Sequence, residues 1–235
     1  MFKKTLFLAV TWCFAASVVA DPVSVRYGFS TDGPPAALID YIKQASAVQN
    51  KLNPGTQPEL WLNTFHGPNT SGGSVVVQYP SMEAFAAATK RNQESAEWAA
   101  ALQKMPASAQ LRYTGLSNVL WQEADAKVAA AGEVMMIFTF EVLQGGTAPL
   151  VEFAKKAAAT QGTIGVQSTF RVVAPTLSGD NVGTATVLVR YPNLTAYAEG
   201  TTKLAGNKTW QDLLATFPAA NYRISYTALS TAAAL

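Results

Sequence analysis

Imidazole chemistry in this chain runs through one residue, since His66 is its only histidine. A lone imidazole can accept a proton near neutral pH or hold haem iron. His66 closes a predicted strand just before Gly67-Pro68. Strand alternation puts Leu62, Thr64 and His66 on one face and Trp61, Asn63 and Phe65 on the other. His66 and Asn63 are therefore the candidate catalytic residues. The competing reading of His66 is a polar strand end, because no acidic partner recurs at a fixed spacing from it.

Aromatic residues supply the candidate ligand contacts. Trp98 and Trp210 occupy equivalent helical positions, where a ring either stacks on a ligand or closes a core. Tyr113 and Tyr226 place phenols on closing strands, and Trp61 and Trp121 have no aromatic equivalent elsewhere. Arg171 reads as the counterpart of His66, keeping a donor but losing the proton acceptor. The expected ligand-binding set is Trp98, Tyr113, Trp61, Trp210, Tyr226 and Arg171. Arg26 and Arg112 read as solvated or rim charges. The sequence has no H-E-x-x-H, Gly-rich phosphate loop or G-x-S-x-G element, and no metal site is expected.

The elements that must position these residues follow a leader. Lys3 and Lys4, the apolar run from Leu6 to Val19 and the small residues Val18-Val19-Ala20 read as a secretory signal over residues 1–20. The only cysteine, Cys13, lies within it, so the mature chain has no thiol, as suits an oxidising compartment. Losing Lys3 and Lys4 leaves Lys and Arg equal in number to the 15 Asp and Glu. A neutral exported chain without a basic patch is not expected to bind nucleic acid. No later segment is apolar enough for a membrane span. The expected location is periplasmic or extracellular.

Internal similarity organises the rest. Tyr79-Pro80 recurs as Tyr191-Pro192, 112 residues on, and Phe85, Trp98 and Pro106 match Tyr197, Trp210 and Pro218 at the same spacing. Leu38 to Tyr41, Lys43 and Gln49 match Leu150 to Phe153, Lys155 and Gln161. Asn63 to His66 resembles Ser168 to Arg171 at the shorter spacing of 105. Each copy reads strand, helix, strand, strand, helix, strand. In the first these are Val23–Ser30, Ala36–Lys51, Leu60–His66, Ser74–Tyr79, a helix from Ser81 that breaks near Asn92 and restarts at Ser95, and Ala109–Leu120. The expected organisation is a signal at 1–20, a first repeat at 21–122, a linker at 123–132 and a second repeat at 133–235.

The fold class is α+β: two ferredoxin-like βαββαβ repeats packed sheet-to-sheet as an intrachain pseudo-dimeric α/β barrel. Val75 to Val77 and Val187 to Val189, apolar at consecutive positions, read as strands buried on both faces. Asn69, Asn193 and Asn207 head glycosylation triplets.

Tyr79-Pro80-Ser81-Met82-Glu83-Ala84-Phe85, Ser95-Ala96-Glu97-Trp98 and their copies resemble the dimeric α/β-barrel superfamily, with its NIPSNAP-like and antibiotic-biosynthesis-monooxygenase-like domains. That superfamily includes monooxygenases, haem-degrading enzymes, peroxidase-like enzymes and proteins without known activity. The resemblance implies a ligand pocket between helix and sheet. The leading expectation is a non-catalytic domain binding a small apolar or aromatic molecule, or a partner, without a cofactor, as a monomer with an internal pseudo-dimer. The alternative is a cofactor-independent or haem-dependent monooxygenase-like enzyme with its site in the first repeat.

Overall fold

The structure is a computed structural model of the chain and describes residues 21–33, 35–67, 71–124, 127–177 and 183–235. The expected signal and the Asn69 triplet's first two residues lie outside these. The first half runs β1 (Val23–Thr31), α1 (Pro35–Leu52), β2 (Glu59–Phe65), β3 (Gly72–Tyr79), α2 (Met82–Glu94), α3 (Ala96–Leu102) and β4 (Ala109–Gln122). The second repeats that order as β5 (Val134–Val142), α4 (Ala148–Ile164), β6 (Thr169–Leu177), β7 (Thr184–Tyr191), α5 (Leu194–Ala205), α6 (Lys208–Leu214) and β8 (Tyr222–Ala233).

Local chemistry sets the helix boundaries. Ser81 Oγ accepts from the Ala84 amide at 3.2 Å and starts α2. The break expected near Asn92 falls at Ser95, whose extended backbone ends α2 and whose Oγ accepts from the Trp98 amide at 3.1 Å to start α3. Asn193 and Asn207 cap α5 and α6 in the same way, so two of the three triplet asparagines serve as helix caps. Gly165 ends α4 with φ 77°, a left-handed conformation that favours glycine.

The strands form one closed barrel in the order β1-β3-β2-β8-β5-β7-β6-β4. All pairs are antiparallel. The halves therefore meet differently from the expected face-to-face packing: they join edge to edge, β2 to β8 and β4 to β6. The long closing strands make this possible. The start of β4 pairs with β1 and its end with β6, while β8 pairs first with β5 and then with β2. Closure satisfies edge groups that two stacked sheets would leave open.

Each strand thus has a barrel-facing side and a helix-facing side. Val75 and Val77 enter the core beneath α1 and α2, while Val76 packs with Trp61, Met135 and Ile137 inside the barrel. Val187 and Val189 likewise face the second helical layer, with Leu188 inward. Both strands are buried on two faces, as their composition predicts.

The ladder corrects one sequence match. Glu59 stands opposite Val76 and Arg171 opposite Leu188, so the longer spacing continues through both hairpins. Glu59, not His66, is the structural counterpart of Arg171. Among the described residues, no helix is long and apolar enough to cross a membrane, and no cluster of three metal-ligating side chains occurs.

Candidate functional site

Two cavities lie on opposite faces of the sheet. The first, about 430 Å³, sits between the helices and the sheet of the first half. Its walls are Tyr27, Phe29, Val75 and Val77 from the sheet, Tyr41 and Ile42 from α1, and Trp98, Leu102 and Met105 around α3. These rings and methyls leave a mostly apolar space suited to a flat ligand.

One end of that space is polar and strongly ordered. Gln49 Nε2 donates to the Tyr79 hydroxyl at 3.2 Å, and Asn92 Nδ2 donates to Gln49 Oε1 at 2.8 Å. Asn53 Nδ2 then donates to Asn92 Oδ1 at 2.8 Å, and Arg91 Nε donates to Asn53 Oδ1, also at 2.8 Å. Burial pushes the Tyr79 phenol up to about 12, so it is protonated throughout the physiological range.

The second cavity, about 880 Å³, lies inside the barrel and is lined by Arg26, His66, Ser74, Tyr113, Thr139 and Tyr226, among others. His66 is 4% exposed. Its Nδ1 lies 2.7 Å from the Tyr226 hydroxyl and its Nε2 2.8 Å from Ser230 Oγ. Burial, with the Arg26 charge second, lowers the imidazole to about 4, so it is neutral at neutral pH. Arg26, expected as a solvated or rim charge, is half-buried at this cavity: its Nε donates to Ser74 Oγ at 2.9 Å and its guanidinium lies over the Tyr113 ring. Tyr113 approaches so closely that a Cβ on Gly28 would fall 2.1 Å from its ring, which is why glycine stands there.

The sheet therefore separates the residues expected to act together. Trp98 lines the helix-side cavity; His66, Asn63, Tyr113 and Tyr226 line the barrel interior. A joint His66–Trp98 site does not form. Trp61 is 1% exposed beneath the Arg190 guanidinium, with its indole donating to Glu59 Oε2 at 3.1 Å. Arg171 is buried against Gln78, whose carboxamide must be turned with its oxygen toward the guanidinium, where it accepts from Nη2 at 2.8 Å and Nη1 at 3.1 Å. Trp210 and Trp121 both pack against the core of the second half. The residues sequence reasoning passed over are Tyr79, Gln49, Asn53, Arg91 and Asn92. Tyr79 and Gln49 served there only as landmarks of the repeat.

The second half keeps only the last link at the matching positions: Gln161 hydrogen-bonds Tyr191, and its Oε1 accepts from Ser168 Oγ at 2.7 Å. Phe217, in the place of Met105, packs against Phe140 at 5.6 Å and Phe153 at 5.0 Å between ring centres, filling the space beside α4. Leu204 and Gly165 stand where the first half has Asn92 and Asn53, and Lys203 donates to the Gly165 carbonyl at 3.2 Å.

No family model matches the sequence, and no curated protein does. Solved structures do match in fold. A protein from Fusobacterium nucleatum provisionally named a monooxygenase is 13% identical, with a TM-score of 0.61 over 91% of this chain and 92% of that one. A structure provisionally named chlorite dismutase is 12% identical, with a TM-score of 0.54 over 92% and 96%. An anthrone oxidase-like protein is 10% identical, with a TM-score of 0.55 over 91% and 92%.

These findings overturn two expectations. The leading reading of a non-catalytic domain gives way to the enzymatic alternative, because the matching folds carry enzyme names. The expectation of no cofactor is set aside with it, because a structure named chlorite dismutase is among the matching folds. His66 itself does not fit as an iron ligand, since both ring nitrogens are engaged by hydroxyls. The helix-side cavity offers no imidazole, and its Tyr79 phenol is held far from the phenolate iron would need. At these identities the likeness is one of architecture: the chain has the dimeric α/β-barrel, ferredoxin-like fold of these proteins.

Proposed function

We propose that the chain is a monooxygenase-type oxidoreductase that holds a flat, largely apolar aromatic substrate in the helix-side cavity of its first half. The observation that carries this reading is the contrast between halves: matching backbone elements enclose a walled cavity in one and a packed Phe cluster in the other. Trp98 and Phe29 would sandwich or edge the rings, and the Tyr79 end would receive the substrate's polar group. An activated methylene suits such a site, because its oxidation to a ketone by O2 releases one water and needs no outside reductant. The fold names of the matching structures support the reaction class.

Several finer assignments belong to the same reading. The common element order and the continuous register spacing support descent of residues 21–122 and 133–235 from one ferredoxin-like unit joined by 123–132, with NIPSNAP-like or antibiotic-biosynthesis-monooxygenase-like domains as its kin. A monomer carrying an internal pseudo-dimer, exported after removal of residues 1–20, completes it.

The test combines Trp fluorescence titration of polycyclic aromatics with oxygen uptake on those bearing an activated methylene, each with and without added haemin. The expected result is saturable binding weakened about tenfold or more by Trp98→Ala, the loss of one stacking contact plus wall area. A Soret shift that vanishes in His66→Ala would contradict the ligand geometry described above. Absence of both binding and oxygen uptake in every arm would sink the proposal.

A further inference from the structure

The hydrogen-bonded chain behind Tyr79 has a direction that can be deduced. An Asn or Gln amide can be turned end for end, so each link taken alone admits two orientations. Arg91 does not: a guanidinium has donors and no acceptor. With Arg91 Nε 2.8 Å from Asn53, that amide must present Oδ1 to it and therefore Nδ2 to Asn92. Asn92 then receives on Oδ1 and donates from Nδ2 to Gln49 Oε1, which leaves Gln49 Nε2 facing the Tyr79 hydroxyl. Turning the chain over would set two donors against each other at Arg91.

The consequence falls on the phenol. Its oxygen is an acceptor from Gln49, so its own proton points elsewhere, and no described group takes it. Asn53 and Gln49 are buried, which keeps water from scrambling the links. Successive amides polarise one another in one sense, strengthening the last donor.

We propose that Tyr79 donates its hydroxyl proton to an acceptor oxygen, a carbonyl or an aryl oxide, on the aromatic molecule in the helix-side cavity, and that Arg91 sets this donor's direction through the three amides. This rests on the cavity being the ligand site. It adds that the ligand carries oxygen at the Tyr79 end, and that Arg91 is a positioning residue although it touches no ligand. The second half lacks the arginine-set relay: Gln161 still hydrogen-bonds Tyr191, but its Oε1 accepts from Ser168 Oγ at 2.7 Å, Leu204 and Gly165 stand at the amide positions, and Lys203 donates to the Gly165 carbonyl.

Fluorene and 9-fluorenone form a matched test pair, flat and nearly isosteric, differing in one carbonyl. The wild-type chain is expected to bind fluorenone about fivefold to tenfold more tightly than fluorene, as one buried hydrogen bond implies. The bound carbonyl stretch should lie below its position in alkane solvent. Tyr79→Phe should equalise the two affinities and return the stretch to the alkane position. Arg91→Glu is the decisive variant. A carboxylate accepts where the guanidinium donated, so the three amides turn over, Tyr79 donates backwards to Gln49, and the carbonyl preference disappears with the phenol still present. Arg91→Lys, donor-only like the native residue, should retain it. Equal affinities in the wild type, or a carbonyl preference and stretch unchanged by Arg91→Glu, would overturn the proposal and leave the cavity standing. Failure of both ligands to bind would remove the cavity reading itself, and the proposal with it.

Discussion

The space between helices and sheet differs between halves more than the backbone around it does. In the first half Met105, Leu111 and Trp98 stand back from Tyr27 and Phe29. In the second, Phe217 closes on Phe140, Phe153 and Tyr222, whereas the edge-on pair is common to both halves, as Tyr79–Phe85 and Tyr191–Tyr197. The Phe217 cluster occupies in the second half the place that Met105 leaves open in the first, and the amides of Asn53 and Asn92 belong to the first half alone. One half spends its aromatic residues on packing and can support its neighbour's less well-filled interior.

The largest effect that would break this contrast is on stability. Phe217→Ala should cost about 3–5 kcal/mol in denaturant unfolding, as expected for emptying a packed aromatic site. Met105→Ala, at a position 37% exposed beside an existing space, should cost about 1 kcal/mol. Equal losses would mean that the first half is as tightly packed as the second. Transplanting the packing sharpens the point. Met105→Phe should weaken binding of polycyclic aromatics at least about tenfold in fluorescence titration, with stability changed by less than about 1.5 kcal/mol.

The barrel interior supplies a pH signature. His66 has a folded value of about 4, below its ordinary 6.5. As pH falls through 6.5 the unfolded chain gains a proton that the native chain refuses, so stability drops from there down to about 4 and then levels. His66→Gln should flatten that limb of a stability-versus-pH curve measured by urea unfolding, and an unchanged limb would place the transition on other groups. The smallest effects belong to the caps. Ser95→Ala and Asn207→Ala should each cost about 1 kcal/mol, alike in both halves because each cap accepts one amide bond.

Much of the fold was legible because both halves report it. Ser81 and Ser95, Pro80 and Pro192, and the consecutive valines mark boundaries by local chemistry that tertiary contacts do not override. The site was less so. Asn63 to His66 resembles Ser168 to Arg171, but the spacing that aligns them differs from the ladder's by an odd number of residues. A strand slipped by an odd number exchanges its faces, so that match pairs residues from opposite sides of the sheet. Alternation along β2 puts His66 on the helix-facing side with Leu62, but the register against β8 shifts between Asn63 and Phe65 and returns His66 to the barrel interior with Asn63, which is what parted it from Trp98. The amide chain joins the end of α1 to the end of α2, a closeness no local pattern records. Its trace in the sequence is the exchange of Asn53 and Asn92 for Gly165 and Leu204.

The seam between halves carries an asymmetry of charge. Glu59, 3% exposed, takes Arg190 Nη1 at 3.5 Å across it, and Gln78 takes Arg171 in the equivalent contact. Positions 59 and 78 of the first half thus face 190 and 171 of the second, with the two arginines on one side only. Were two copies of the second half to close a barrel by themselves, each seam would set Arg171 against Arg190, with Glu133 beside Arg190 as the only one of the two Arg190-pairing carboxylates retained. Two copies of the first half would meet through Glu59 and Gln78, with no cation. Only the pairing of unlike halves brings the Glu59 carboxylate to the Arg190 guanidinium. Whatever symmetry such a barrel began with, its seams are now matched across unlike halves, and a barrel of second halves alone would leave Arg171 without its Gln78 partner.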